Sequence, residues 1–537
     1  MSLTIKIIQG DDVHALMREP EFLNAWELLA TLTPHVTVFQ EPPFVTCWYQ
    51  QYRAAYTPIL VLGYSNDNTL SGLLPLAMNI TNQALSHAGD QQVEYSGWLC
   101  TKEYKQTFIS QALATVNRQF TYSKWLWSTI PPHADVTWLT EPGKELKNLY
   151  TTFEVIDSPM LDLHNEEKLK KVLKNKSVKS KINRLKRIGE LRIERITDSQ
   201  RVTELIDDIA NLVNFRHGAA HGDLAFREDP YQQDFYHARG SNLINNHFSV
   251  LWLGEKILAF HFGGIDKNTI YIGLSAFDPT YSKHSPGVIF LIYLANLMNE
   301  EGIRYIDLTP GGDEYKERFS NQHHTLYCPT FFNSATSKYQ YYCKKHLKKS
   351  VLSSLNKLGI DKNKIVRDTN SNHSDSAKKS YIVLKSDITK IQTKSNEHQS
   401  INIQKYSDLL LHPEVDDSHK MQPLLSSATQ RFSKEETLFS LVENNRLKGI
   451  FWMSKPGNKY KSVNIEFTID DNSVVYNFLD NRETKYANNF YQTLNKMIEV
   501  TQSNNVSTAY ALLPANISSE DKNRFLKLGF SETTETS

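Results

Sequence analysis

The sequence predicts an α/β (α+β) protein in which mixed central sheets are flanked by helices, with the unit repeated three times along the chain. Three observations lead to this class. Three segments read as an apolar strand, a polar turn and a second strand entered through a small residue: "ILVLGYSNDNTLSGLLPLAM", "SVLWLGEKILAFHFGGI" and "LFSLVENNRLKGIFWMS". The small residues, Gly72, Ala259 and Gly449, recur at intervals of 187 and 190 positions. Each hairpin is followed by an amphipathic helix, a brief turn and a strand that ends in proline: "KWLWSTIPP", "RYIDLTPGG" and "TAYALLPAN". Short apolar or alternating runs mark the strands, and 3.6-residue spacing marks the helices.

Length and charge bound what such a chain does. At 537 residues it exceeds one ordinary core, so several domains of ~100 to 200 residues are expected. The 60 Lys and Arg balance 59 Asp and Glu, which gives no global pull toward a polyanion; nucleic acid is not an expected partner. The longest apolar run, Pro286 to Met298, is far short of the ~20 residues that span a bilayer, and reads as a buried helix. The start "MSLTIKIIQGDD" lacks the pattern of a secretory signal. Cys47, Cys100, Cys328 and Cys343 are scattered with no Cys-x-x-Cys pair. They fit reduced thiols in a cytoplasm, with neither a disulfide framework nor a zinc cluster.

Taken in order, the elements divide the chain into an N-terminal copy (1–165), a central copy (166–345), a basic helix and linker (346–380) and a C-terminal copy (381–537). Val178, Ile182 and Leu185 lie on one side of a helix over Ser177–Arg187, with lysines and arginines opposite, so this segment connects the first two copies. The lysines and arginines from Lys168 to Arg187 read as a solvated face or as a contact for an anionic ligand, without the interleaved aromatics of an RNA-binding surface. "KYQYYCKKHLKKSVLSSLNKLG" is a basic helix stopped by Gly359. Residues 361–380 are polar and read as a linker, so a chain lacking 361–537 is expected to stay folded.

The chemistry concentrates in residues 281–319. Ser285-Pro286-Gly287 opens a helix, with proline suited to its first turn and serine able to cap exposed amides. Free N–H groups and the positive helix end make an anion site there, and Gly287 allows close backbone approach to a pyrophosphate. Asp307 then stands inside the apolar strand "YIDLTP", where a carboxylate needs a partner. Gly311 follows four residues on, and Tyr315-Lys316 eight residues on. With "FDPTYSKHSPG" upstream of "DLTPGGDEYKERF", this spacing resembles the GNAT-type acetyltransferases of the cellulose-biosynthesis (CelD-type) family, themselves similar to Fem-type tandem-GNAT transferases. The resemblance is specific over 170–320, looser over 40–160, and only an outline over 380–537.

That resemblance implies tandem GNAT-like domains and an acyl-CoA co-substrate, acetyl-CoA above all. Pantetheine would lie along the strand ending near Phe277, with pyrophosphate on the amides of Ser285, Gly287 and Val288 after Pro286. The first and third copies have "CTKEYKQTFISQ" and "NRETKYANNFYQ" at the matching place, without a Pro-Gly turn; they would form the acceptor groove or act as scaffold. Direct attack on the thioester is implied, by an amine or hydroxyl of a small molecule or of a sugar, lipid or polysaccharide precursor. Asp307 reads as base or orienting group, Tyr315 as the donor to the departing thiolate and Lys316 as a holder of negative charge. Arg216, and His217 beside it, are acceptor-site candidates. His217 and His221, spaced i, i+4 with Asp223 beyond, read as groove or loop residues rather than ligands, since Gly218 and Gly222 weaken the helix; no metal is expected. Ser-His-Asp hydrolysis lacks a Gly-x-Ser-x-Gly elbow. The rival readings are a Fem-type aminoacyl-tRNA transferase, which would need the basic helix to hold RNA, and a non-catalytic binding module.

Overall fold

All three hairpins form, and they share an irregularity. In the computed structural model, which describes residues 3–533 apart from 123, 166, 168–169, 172–173, 312–313, 345–380, 393–400, 413–417, 457–458, 463–464, 469–471, 479–486 and 516, the first sheet holds β1 (Thr4–Gln9), β2 (Tyr56–Tyr64), β3 (Leu70–Asn79), β4 (Leu85–His87) and β5 (Leu99–Cys100). The second holds β6 (Trp125–Leu126), β7 (Tyr150–Asp162), β8 (Leu191–Ile196), β9 (Asn246–Leu253), β10 (Lys256–Ile265), β11 (Thr269–Phe277), β12 (Tyr305–Asp307) and β13 (Gln322–Phe332). The third contains β14 (Tyr381–Asp387), β15 (Ile401–Ile403), β16 (Thr437–Glu443) and β17 (Arg446–Met453), then, after a separate hairpin of β18 (Lys459–Ser462) and β19 (Ile465–Thr468), β20 (Ser473–Asn477), β21 (Thr508–Pro514) and β22 (Ser531–Glu532). In β2–β3, β9–β10 and β16–β17 the ladder skips one residue just before the small one: Ser71 before Gly72, Leu258 before Ala259, Lys448 before Gly449. Such a bulge bends the strand and raises its twist, and its recurrence at one place gives the repeat a physical meaning.

Sheet order repeats as well. The second sheet runs β6-β13-β7-β12-β11-β10-β9-β8, and the third β22-β14-β21-β20-β17-β16-β15 when read in the same sense. In both, the only parallel pair among the described residues stands at the same position, β11 with β12 and β20 with β21. In both, the strand that precedes the repeat, β7 or β14, returns antiparallel against it. Helices Pro286–Glu300 and Ala487–Ser503 make the crossovers that a parallel pair requires. The first sheet keeps the antiparallel β1-β2-β3 set, and its helix Thr107–Gln119 packs so closely that a Cβ on Gly72 would lie 2.2 Å from Phe108 Cδ2.

Two compact units result: residues 1–206, 230–275 and 287–370 form one, and 207–229, 276–286 and 371–537 the other. The unit that holds the C-terminal copy thus also takes in two upstream segments, 207–229 and 276–286. Phe215 and Leu224, far upstream, are buried in one cluster with Leu409, Leu425, Phe432 and Trp452, and Ala219 packs against it. The linker 361–380 and Gly359 themselves lie outside the described residues. The connecting helix forms over Lys176–Ile188, capped by Asn175, with Leu185 buried. No described helix is long and apolar enough to cross a membrane.

Candidate active site

Asp307 ends β12, the short strand between β11 and β7. Its side chain is 1% exposed and has the fixed partners that such burial demands. Tyr95 donates its hydroxyl to Oδ2 at 2.5 Å, and the backbone N–H of Thr309 donates to Oδ1 at 2.8 Å. Burial raises the Asp307 carboxyl to about 6, against the opposing pull of these two bonds and of Lys316. Thr309 takes φ 61°, a left-handed conformation that is an outlier for a β-branched residue. Asp307 secures its N–H, and Lys316 Nζ donates to its carbonyl at 3.2 Å and to the Pro310 carbonyl at 3.2 Å. The turn is over-determined from both sides, which is how such conformations persist.

Tyr95 enters from the N-terminal copy, between β4 and β5. Its carbonyl accepts from Gln40 Nε2 at 2.8 Å, and Gln40 also closes a capping box with Thr37. Burial, then Asp307, raise the Tyr95 phenol well above its usual range, so it stays a donor. Beside it, half-buried Glu94 is raised to about 7, by burial first and then by the Asp307 charge, with Lys316 opposing. Tyr271, its ring centroid 6.0 Å from that of Tyr95, donates to Asp266 Oδ2 at 2.8 Å. Two carboxyls that titrate near neutrality and one buried ammonium thus share a small volume, a combination able to accept and hold a proton.

Of the residues proposed from sequence, Asp307 and Lys316 come together. Tyr315 lies in helix Glu314–Phe319, but its side chain falls outside the described residues. Phe277 ends β11. The ladder between β11 and β12 stops after three pairs, at Tyr271 and Asp307, so the remainder of β11 toward Phe277 leaves β12 behind. Pro286 is the first residue of helix Pro286–Glu300; Ser285, Gly287 and Val288 are only partly buried, which keeps their backbone reachable. Ser285 departs from a simple cap: its φ and ψ are 54° and 57°, left-handed. Arg216 and His217 sit near the end of helix Ser199–Ala220, which runs unbroken through Gly218, and His217 Nδ1 lies 3.1 Å from Asp223 Oδ2.

Sequence reasoning missed Tyr95 and Glu94. They stand in an irregular stretch, "QQVEYSGW", with no period to flag them. It also missed a surface group: exposed Asp157, Glu317 and His323 bring potential ligand atoms within 4.8 Å of one another. His323 Nδ1 is 2.5 Å from Asp157 Oδ2, and Ser320 Oγ is 3.2 Å from His323 Nε2. Ser320 is fully buried, so this Ser–His–Asp chain presents no accessible nucleophile.

Solved structures similar to this chain include FemX (9% identity, TM-score 0.41, covering 59% of this chain and 98% of that one). L-PGS from Bacillus licheniformis is 13% identical with TM-score 0.37 over 58% and 91% of the two chains. A tandem GNAT protein from the clavulanic acid biosynthesis pathway is 12% identical with TM-score 0.35 over 61% and 98%. No curated protein matches the sequence. Residues 174–317 match the family described as an acetyltransferase (GNAT) domain, a span within the 537-residue chain that includes the Ser-Pro-Gly turn, Asp307 and Lys316.

Proposed function

We propose that the protein transfers an acyl group, acetyl above all, from acyl-CoA to an amine or hydroxyl by direct attack on the thioester. The observation that carries this reading is the buried Asp307 cluster at the end of β12, beside the point where β11 and β12 part. A strand that has lost its neighbour offers unpaired backbone groups, against which an extended pantetheine can lie toward Phe277. The first-turn amides after Ser285 and Pro286, at Gly287 and Val288, have no intrahelical acceptor and suit the pyrophosphate. CoA supplies the activated thioester. Asp307 and Glu94 take up the proton lost by the acceptor, Lys316 stabilises negative charge, and Tyr315 protonates the departing thiolate.

The third sheet supports a scaffold role for the C-terminal copy. There the ladder between β20 and β21 runs over five pairs, Ser473 to Asn477, against three between β11 and β12. On this reading 1–165, 166–345 and 381–537 are three GNAT-like copies, and the central one holds acyl-CoA. The motif's likeness to the cellulose-biosynthesis type favours a sugar, lipid or polysaccharide precursor as acceptor.

The test is mass spectrometry of the purified protein incubated with an acyl-CoA panel and candidate acceptors, with aminoacyl-tRNA as a competing donor. Product from acyl-CoA alone supports the proposal; product from aminoacyl-tRNA alone overturns it. For the binding step, acetyl-CoA should raise the melting temperature by mass action, and Gly287→Glu should abolish the rise. An equal rise in parent and variant would move the cofactor elsewhere.

A further inference from the structure

The turn Pro279–His284, which leads into the Pro286 helix, belongs to the same compact unit as residues 371–537. Helix Ser418–Ser433 packs along it. Just past that helix, Glu435 forms ion pairs with both Lys283 and Lys455, the second at 2.8 Å. Glu435 is itself held firmly. It takes φ 62°, its N–H donates to the Phe432 carbonyl at 3.0 Å, and the next residue, Glu436, is locked in a buried pair with Arg431 at 2.6 Å. Pro279 and His284 are buried, and Asp278 accepts from the Thr280 N–H at 2.9 Å. Lys283 is therefore fixed two residues before Ser285, whose left-handed backbone needs its surroundings to keep it.

We propose that Glu435 is a positioning residue for acyl-CoA: through Lys283 it holds the turn that sets the entry into the Pro286 helix, so a remote copy of the fold tunes cofactor affinity. This rests on the reading that acyl-CoA binds at Ser285–Val288. A partly exposed ion pair contributes little to global stability, so its work is local. A cation beyond a helix C-terminus is also in a favourable field, which makes Lys283 the natural partner of this end of helix Ser418–Ser433.

The experiment measures CoA binding calorimetrically and steady-state kinetics with acetyl-CoA on the full chain. Glu435→Gln should weaken CoA binding and raise KM roughly three- to tenfold, the range of ~1 kcal/mol, with kcat and melting temperature close to the parent. Glu435→Lys should weaken it further. Lys283→Glu and Lys455→Glu added to Glu435→Lys should restore binding, because the exchange re-forms both pairs with their charges reversed. A merely structural pair would lower the melting temperature without separating KM from kcat. Parent-like CoA affinity in both Glu435 variants overturns the proposal, as does failure of the swapped pairs to restore binding. If Gly287→Glu leaves CoA binding intact, the site reading has failed instead, so the two failures are told apart.

Discussion

Among single residues, Tyr95 and Asp307 show how burial sets chemistry. A carboxylate in an apolar strand is costly, and this one is tolerated because a phenol from 212 positions away and a backbone amide both donate to it. Tyr95→Phe removes the stronger donor and should lower turnover by roughly 10-fold to 10²-fold, while CoA affinity stays near the parent value; retained full activity would make Tyr95 a packing residue. The pH dependence follows from signs. Asp307 and Glu94 are both raised, to about 6 and about 7 from 3.8 and 4.5. The native state then binds more protons than the unfolded one between those limits, so their contribution to stability is fully present below about pH 4 and is lost as pH rises through 7. Thermal melts across that range should slope downward less steeply in Asp307→Asn than in the parent. A slope unchanged by the substitution would mean that Asp307 does not titrate there.

Among the elements, the bulged hairpin explains a residue preference that spacing only registered. Gly72 is small because the helix Thr107–Gln119 brings Phe108 against it. Gly72→Ala forces a shift of a packed ring, and overpacking of this kind costs about 1–3 kcal/mol; denaturant melts of the variant and parent measure it. Stability equal to the parent would mean the ring moves freely. The parallel pairs are instructive in the same way. "NTIYIGLSAF" and "RYIDLTPGG" are legible as strands from their apolar runs. How far they pair is not, since three rungs and five rungs differ only in where the strands diverge.

Across the molecule, the packing departs from chain order. Residues 207–229 and 276–286 group with 371–537, so a chain ending at residue 370 should lose amide-exchange protection in those two segments while β9 and β10 remain protected. Unaltered protection of 207–229 and 276–286 in the shortened chain would show that they are held by something else.

Read in one dimension, the chain dictates its class of fold, the three hairpins with their small residues, the Pro286 helix and the Asp307 strand, because each is written in local periodicity, turn chemistry and capping. Asp307 and Lys316 are legible in the same way, as a charge in an apolar strand and a fixed spacing. Packing in three dimensions is what brings Tyr95 and Glu94 to Asp307 and Phe215 to Phe432. It likewise brings Glu435 to Lys283. Those contacts join segments whose local patterns are independent of one another, and loop closure over such distances costs only slowly more with length. The partner of a buried group is therefore chosen by the burial and pairing it gains, wherever along the chain that partner lies.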